Sequence, residues 1–272
     1  MKRTALLSPL VAAVLILPVQ FARAQEGSSS PQGERNCSAN RFEDGLATYA
    51  ESRDQHLAAA SSNRINPGAN GSVLVHGWNQ NDVLVRACIQ TAAPSDSDAR
   101  ALASQVKIAG GPGQIEPEGP SEDHRHRWDV SYEIWLPHES NLDAEAHNGS
   151  IGIDGVHGEI RFNTTNGSVR LNQVGGDVDG STTNGSLKID LAGDRWDGKG
   201  LRAETTNGSV RVSVPANYSA KFEASTVNGG VHVAFPITVS GEIGKNLSFQ
   251  LGSGGPTIEA RTTNGAIYIG RT

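Results

Sequence analysis

Large apolar side chains are scarce in this chain. Its one methionine is Met1, and aromatic residues make up 5% of 272 positions. A helical core fits that composition poorly, whereas the 32 glycines suit tightly turned strands. Catalytic signatures are missing too: there is no Gly-x-Ser-x-Gly elbow, no His-Glu-x-x-His, no phosphate loop and no Cys-x-x-Cys pair. These absences lower the expectation of an enzyme, and no cofactor is expected. Long hydrophobic runs are lacking as well. The one apolar stretch, residues 5–17, falls short of the roughly 20 residues a membrane span needs.

That stretch follows Lys2 and Arg3 and ends in Ala22-Arg23-Ala24, the pattern of a secretory signal peptide over residues 1–24. No cysteine stands at the expected cleavage point, so a lipoprotein anchor is not indicated. The expected location is therefore exported: periplasm, cell surface or extracellular. Removing the segment takes Lys2, Arg3 and Arg23 with it, leaving 20 basic against 29 acidic residues and a net charge of about −9. Nucleic acid is not an expected partner of so acidic a chain. Export places Cys37 and Cys88 in an oxidising compartment, where one disulfide would staple the N-terminal arm to a later strand. Two buried thiols are the alternative, since spacing alone does not fix their distance.

What the chain does have is a repeat. Asn-Gly occurs at Asn70 and then at Asn148-Gly149, Asn166-Gly167, Asn184-Gly185, Asn207-Gly208, Asn228-Gly229 and Asn264-Gly265. The last six are separated by 18, 18, 23, 21 and 36 residues, and the final gap reads as two repeats with one marker lost. Six residues before the Asn stand Leu142, Ile160, Val178, Leu201, Phe222 and Ile258. Three after it stand Ile151, Val169, Leu187, Val210, Val231 and Ile267, and five after it Ile153, Leu171, Ile189, Val212, Val233 and Ile269. All are apolar, while five before it come Asp143, Arg161, Asp179, Arg202, Glu223 and Glu259. A period-two alternation kept in register through six repeats is a strand signal, and helical periodicity does not produce it.

The fold expected is all-β, a single-stranded β-helix or solenoid of about seven Asn-Gly-marked rungs stacked about 4.8 Å apart. A meander of hairpins turning at Asn-Gly is the rival arrangement. Two residues before the Asn, Ala146, Thr164, Thr182, Thr205, Thr226 and Thr262 suit a ladder of hydroxyls along the stack. The asparagines either form a second ladder or are present only because the turn needs a left-handed residue before Gly.

Upstream, residues 25–64 read as an N-terminal arm. Its lead, 25–35, is rich in Gly, Ser, Gln and Pro, and 41–60 are compatible with a helix. Residues 65–140 read as a strand-and-helix capping region, ahead of repeats over 141–272. Val73 to Trp78 and Val83 to Cys88 are expected to pair as a hairpin, Ser95 to open a helix over 99–105, and 106–109 and 128–136 to be strands.

Gly71-Ser72-Val73 to Gly77-Trp78, the strand from Val130 to Pro137 and the repeated Thr-Thr-Asn-Gly-Ser-Val resemble the bacterial adhesin-like β-strand-repeat family. The likeness covers about residues 65–272, and Trp196-Asp197-Gly198 and Val214-Pro215 with Tyr218-Ser219-Ala220 resemble its phrases too. The resemblance implies an exported β-helical domain whose function is undefined, and it brings no catalytic residues with it.

Three constellations could carry chemistry. Four residues after the Asn, Arg170, Lys188 and Arg211 would stack into an outward basic stripe. Like charges about 5 Å apart repel, so the stripe invites an anionic ligand, unless Asp154 and Asp190 compensate it locally. Asp177 and Asp179 are candidates for a calcium site or a carboxylate pair, against the plainer role of solubilising a turn. His124 and His126 would share one face of an extended segment, but the sequence places no third ligand and no metal is expected. The function expected is a non-catalytic adhesin-like binding module for anionic polysaccharide. The alternatives are a structural envelope protein acting through protein partners and, behind both, a carbohydrate-active enzyme working through Asp177 and Asp179.

Overall fold

The computed structural model describes residues 37–38, 45–238 and 244–272. The expected signal peptide and the whole of the lead after it, 25–35, lie outside these residues. The described chain opens with β1 (Ala47–Ala58), β2 (Ser62–Ile65), β3 (Val73–Trp78) and β4 (Asp82–Ala93). Then come α1 (Asp96–Gln105), β5 (Lys107–Ala109), β6 (Gln114–Glu118) and β7 (Arg127–Pro137). The helix starts where the sequence places it, because Ser95 Oγ accepts the Asp98 N–H at 3.2 Å and so satisfies a free amide of the first turn.

Two expectations about this region fail. Residues 47–58 form a strand, not a helix, paired antiparallel with β4 from Ala47↔Ala93 to Ala58↔Asp82. A disulfide joins Cys37 to Cys88 of β4, their Cα atoms 5.4 Å apart, and ties the N-terminal segment to the same sheet. Helix propensity is a weak prior that a twelve-residue ladder overrides. Nor do β3 and β4 form a hairpin: β7 lies between them, parallel to β3 and antiparallel to β4. Val130, Tyr132, Ile134 and Leu136 of β7 are buried, so this insertion completes the core layer where a hairpin would leave it open.

The repeats continue with β8 (Asn141–Ala146), β9 (Ile151–Asp154), β10 (His157–Thr164), β11 (Val169–Asn172), β12 (Gly175–Asn184) and β13 (Leu187–Asp190). After them run β14 (Gly200–Asn207), β15 (Val210–Val214), β16 (Ala220–Asn228), β17 (Val231–Val233), β18 (Asn246–Leu251), β19 (Thr257–Asn264) and β20 (Ile267–Arg271). Two sheets result. The first is ordered β1-β4-β7-β3-β9-β11-β13-β15-β20-β17 and the second β18-β16-β19-β14-β12-β10-β8-β2-β6-β5. Each Asn-Gly joins a strand of the second sheet to a strand of the first, and successive levels pair parallel and in register, which makes the fold a β-solenoid and not a meander. Asn70 stands between β2 and β3, so the region expected to cap also supplies a level of the stack. The inward columns are buried at every level except the last, where Val231 and Val233 of the edge strand are half-buried.

Among the described residues the 36-residue gap before Asn264 holds no further rung. The chain leaves β17, forms the antiparallel edge strand β18, and returns to insert β19 and β20 between the β14/β15 level and the β16/β17 level. The final repeat in sequence is therefore the penultimate level in space. The exchange costs no register, since Thr205, Thr262 and Thr226 line up as well in the new order as in the old.

The corner shows why the pair is Asn-Gly. Among the described residues Gln173 alone has positive φ outside glycine, so no corner asparagine is there for a left-handed turn. Instead the side chains form a ladder. Nδ2 of Asn148 donates to Oδ1 of Asn70 at 2.9 Å, and Asn166, Asn184, Asn207, Asn264 and Asn228 each donate at 2.8 Å to the asparagine of the level before. Glycine follows because the levels touch: a Cβ on Gly167, Gly185, Gly208 or Gly265 would lie within 2.0 Å of the neighbouring glycine's carbonyl oxygen. The buried threonines add a third row. Thr164, Thr182, Thr205, Thr262 and Thr226 donate to the glycine carbonyl of the adjacent level at 2.7–2.9 Å, so they bond along the stack to backbone and not hydroxyl to hydroxyl.

Candidate functional site

Period-two alternation leaves the residue four after each Asn on the outer face of the first sheet. Register makes a column of these residues: Gly152, Arg170, Lys188 and Arg211 on β9, β11, β13 and β15, then Tyr268 on β20 and His232 on β17. The three basic residues are thus adjacent. The displaced last repeat brings Tyr268 beside Arg211, a neighbour that reading the repeats in sequence order does not give. The Arg211 guanidinium lies 5.6 Å from the Tyr268 ring centroid, and the His232 and Tyr268 rings stack at 5.0 Å. Tyr268 is one of two large apolar side chains exposed among the described residues.

One carboxylate stands behind the column. Asp190 approaches Arg170 at 3.5 Å and Lys188 at 3.1 Å, its own side chain 18% exposed. Asp154 is held differently, accepting from Asn172 Nδ2 at 2.7 Å. Compensation of the stripe is thus real and incomplete. Arg170 and Lys188 share one acid, and Arg211 has an aromatic ring in place of an acid. Charges about 5 Å apart in a water-like medium interact by roughly 1 kcal/mol, so one shared carboxylate offsets the repulsion of one pair only.

The other constellations take different forms. Asp177 accepts Lys199 Nζ at 2.8 Å, which raises the pKa of that ammonium, and this carboxylate is tied into an ion pair on the outer face of the second sheet. Asp179 is exposed on the same strand. His126 turns toward Asp123 at 3.2 Å. The Asp123 carboxyl is held down to about 2 by the Arg125 backbone N–H first and then by the ring and N–H of His126. Among the described residues no group of three or more His, Cys, Asp or Glu side chains is placed to hold a metal ion, and no helix is long and apolar enough to cross a membrane.

Sequence reading missed a polar cluster on the first sheet's outer face near its β1 end. There Arg86 binds both oxygens of Asp54 at 2.9 and 2.8 Å and lies over the Trp135 ring, which also stacks on His76. His76 Nε2 approaches the buried Glu133 at 3.2 Å. The signal was the charged and aromatic residues alternating with the apolar ones of β7, legible only once β4 and β3 are known to flank that strand.

The Toastrack DUF4097 profile matches residues 101–270, well over half of the chain. The chain belongs to the Toastrack DUF4097 family. This Toastrack protein has no match among curated proteins. Solved structures similar to it include a candidate cell adhesion protein from Clostridium sporogenes, 15% identical, spanning 82% of this chain and 100% of that one with a TM-score of 0.40. A candidate adhesin from Bacteroides fragilis is 10% identical over 82% of this chain and 97% of its own, at a TM-score of 0.36. A candidate lipid-binding protein from Parabacteroides distasonis is 10% identical over 84% and 98%, at 0.30.

Proposed function

We propose that this Toastrack protein is an exported, non-catalytic binding module of adhesin type that recognises anionic envelope or extracellular polysaccharide. The observation that carries the reading is the column Arg170, Lys188, Arg211: three cations in consecutive levels, backed by one shared carboxylate, in a chain with an excess of acid. A linear polyanion laid along the stack meets a cation at each of these levels. Tyr268, whose ring faces are taken by Arg211 and His232, extends the track with its exposed phenolic edge. The disulfide and the N-terminal apolar segment suit export, where such polymers are found.

The test is titration of the purified protein with polygalacturonate at low and moderate salt, beside a variant carrying Arg170→Gln, Lys188→Gln and Arg211→Gln. The expected outcome is salt-sensitive binding that weakens at least tenfold in the variant and loses most of its salt dependence. Equal affinity in the two proteins removes the column from the reading. Failure of every acidic polysaccharide to bind removes the reading itself, and protein partners at the sheet edges become the function to pursue.

A further inference from the structure

The outer face of the second sheet carries a concavity, built differently from the basic column. It has a volume of about 390 Å3, within the range of small-ligand pockets, and lies over β12, β14, β19 and β16. One side is the row of outward threonines immediately before the Asn, namely Thr183, Thr206 and Thr263. The other side is the row two residues earlier, in which Glu204 pairs in register with Arg261 and Arg261 with Ser225. Asn246 of β18, opposite Ser225, closes one end, and Val227 lies there 57% exposed.

The hydrogen-bond inventory sets this cleft apart from the rest of the corner. The inward threonines are all spent on glycine carbonyls and the asparagines are spent on one another. In contrast, the hydroxyls of Thr183, Thr206, Thr263 and Ser225 and the amide of Asn246 make no hydrogen bond among the described residues. Glu204 accepts from Arg202 through Oε1, which Arg261 also approaches, and among the described residues no bond forms to its Oε2. The two charged residues of the lining, Glu204 and Arg261, are opposite in sign and each is paired, Glu204 with Arg202 at 2.6 Å and Arg261 with Glu259, besides their own approach at 3.7 Å. The cleft therefore selects neither anion nor cation. Aromatic side chains are absent from its lining, which gives a nucleobase nothing to stack on.

From this we infer that the cleft is a binding site for a neutral, polyhydroxylated ligand, a short uncharged saccharide. Hydroxyl, carboxylate, guanidinium and amide groups around a concave floor are the donors and acceptors that vicinal sugar hydroxyls require. Val227 offers the one apolar surface for the C–H face of a ring. The threonines recur once per level, about 4.8 Å apart, so a linear glycan lying along the stack presents successive units to equivalent hydroxyls. This site is independent of the basic column, which lies on the other sheet and depends on charge.

The test is a titration of the purified protein with three neutral tetrasaccharides, of β1,4-linked glucose, α1,4-linked glucose and β1,4-linked N-acetylglucosamine, followed by amide chemical shifts. The expected result is saturable binding of at least one of them, with shifts at Thr183, Thr206 and Thr263 and no dependence on salt. Thr206→Val with Thr263→Val, isosteric changes at exposed positions, should weaken it at least tenfold, and Glu204→Gln at least threefold. The variant of the basic column should bind the tetrasaccharide unchanged. The inference is overturned if none of the three shifts these residues, or if binding survives both cleft variants intact.

Discussion

Two threonines stand side by side before most corner asparagines, and their hydroxyls meet opposite fates. Thr182 faces inward and donates to the Gly167 carbonyl, whereas Thr183 faces outward and bonds to nothing in the described chain. Replacing each by valine separates the two roles. Thr182→Val should cost about 1–2 kcal/mol, because a buried acceptor loses its donor. Thr183→Val should stay within about 0.5 kcal/mol. Urea denaturation of the two variants checks the pair, and equal effects would mean that the inward hydroxyl row does not stabilise the stack. Glycine gives the stronger contrast at this scale. Gly185→Ala drives a methyl to 2.0 Å from the Gly167 oxygen, so the levels must separate and at least about 3 kcal/mol should be lost. Asn184→Ala removes two ladder bonds at an exposed position and should cost about 1–2 kcal/mol. Acid acts at Asp54. Its pKa is lowered chiefly by the hydrogen bond from Arg86, so the stabilisation it gives is complete above the ordinary aspartate value of about 3.9. That stabilisation is lost as pH falls through the lower folded value. Asp54→Asn should therefore lower the denaturation midpoint at neutral pH and flatten its decline in acid.

At the scale of elements the sequence was legible wherever a column repeats. Alternation assigned the inward faces of the repeat strands, and the cap at Ser95 placed α1. Pairing order was not legible. Strands that share columns fit beside one another in any order, so nothing in the side chains of β19 and β20 says that they belong between β14/β15 and β16/β17. The alanines and glutamates of β1 likewise favour a helix until the antiparallel edge of β4 is there to take them. The late insertion carries a prediction of its own. Truncation after Ser253 removes β19 and β20, leaving β15 without the neighbour that accepts its ladder bonds. Hydrogen exchange of the Val210, Val212 and Val214 amides, which face β20, should then quicken sharply while β9 and β11 stay protected. Retained protection throughout β15 would show that β16/β17 had closed the gap, as their matching columns permit.

At the scale of the whole molecule, one stack presents two outer faces of opposite character. The first sheet offers cations at successive levels beside Tyr268, and the second offers charges paired with one another and, in its cleft, a row of hydroxyls. The candidate basic residues were legible as a column, because their offset from the Asn is constant. Their surroundings were less so: the sequence offered both Asp154 and Asp190 as compensating acids, and the folded chain gives one of these to an asparagine. The cleft was illegible from sequence because it is defined by hydroxyls that find no partner among the described residues, a property only of the folded chain. The disulfide acts at this scale as well. Joining Cys37 to Cys88 closes a segment of 51 residues, and loop-closure entropy puts the stabilisation at about 4 kcal/mol. Reduction should lower the unfolding midpoint by a corresponding amount.

Polyanion binding at the basic column is tested by mapping amide chemical-shift changes in the purified protein as polygalacturonate is added at low salt. The changes are expected to concentrate on β11, β13, β15 and β20, around Arg170, Lys188, Arg211 and Tyr268, and to fade as salt is raised. Changes centred on any other face, or none at saturating polymer, would contradict binding there.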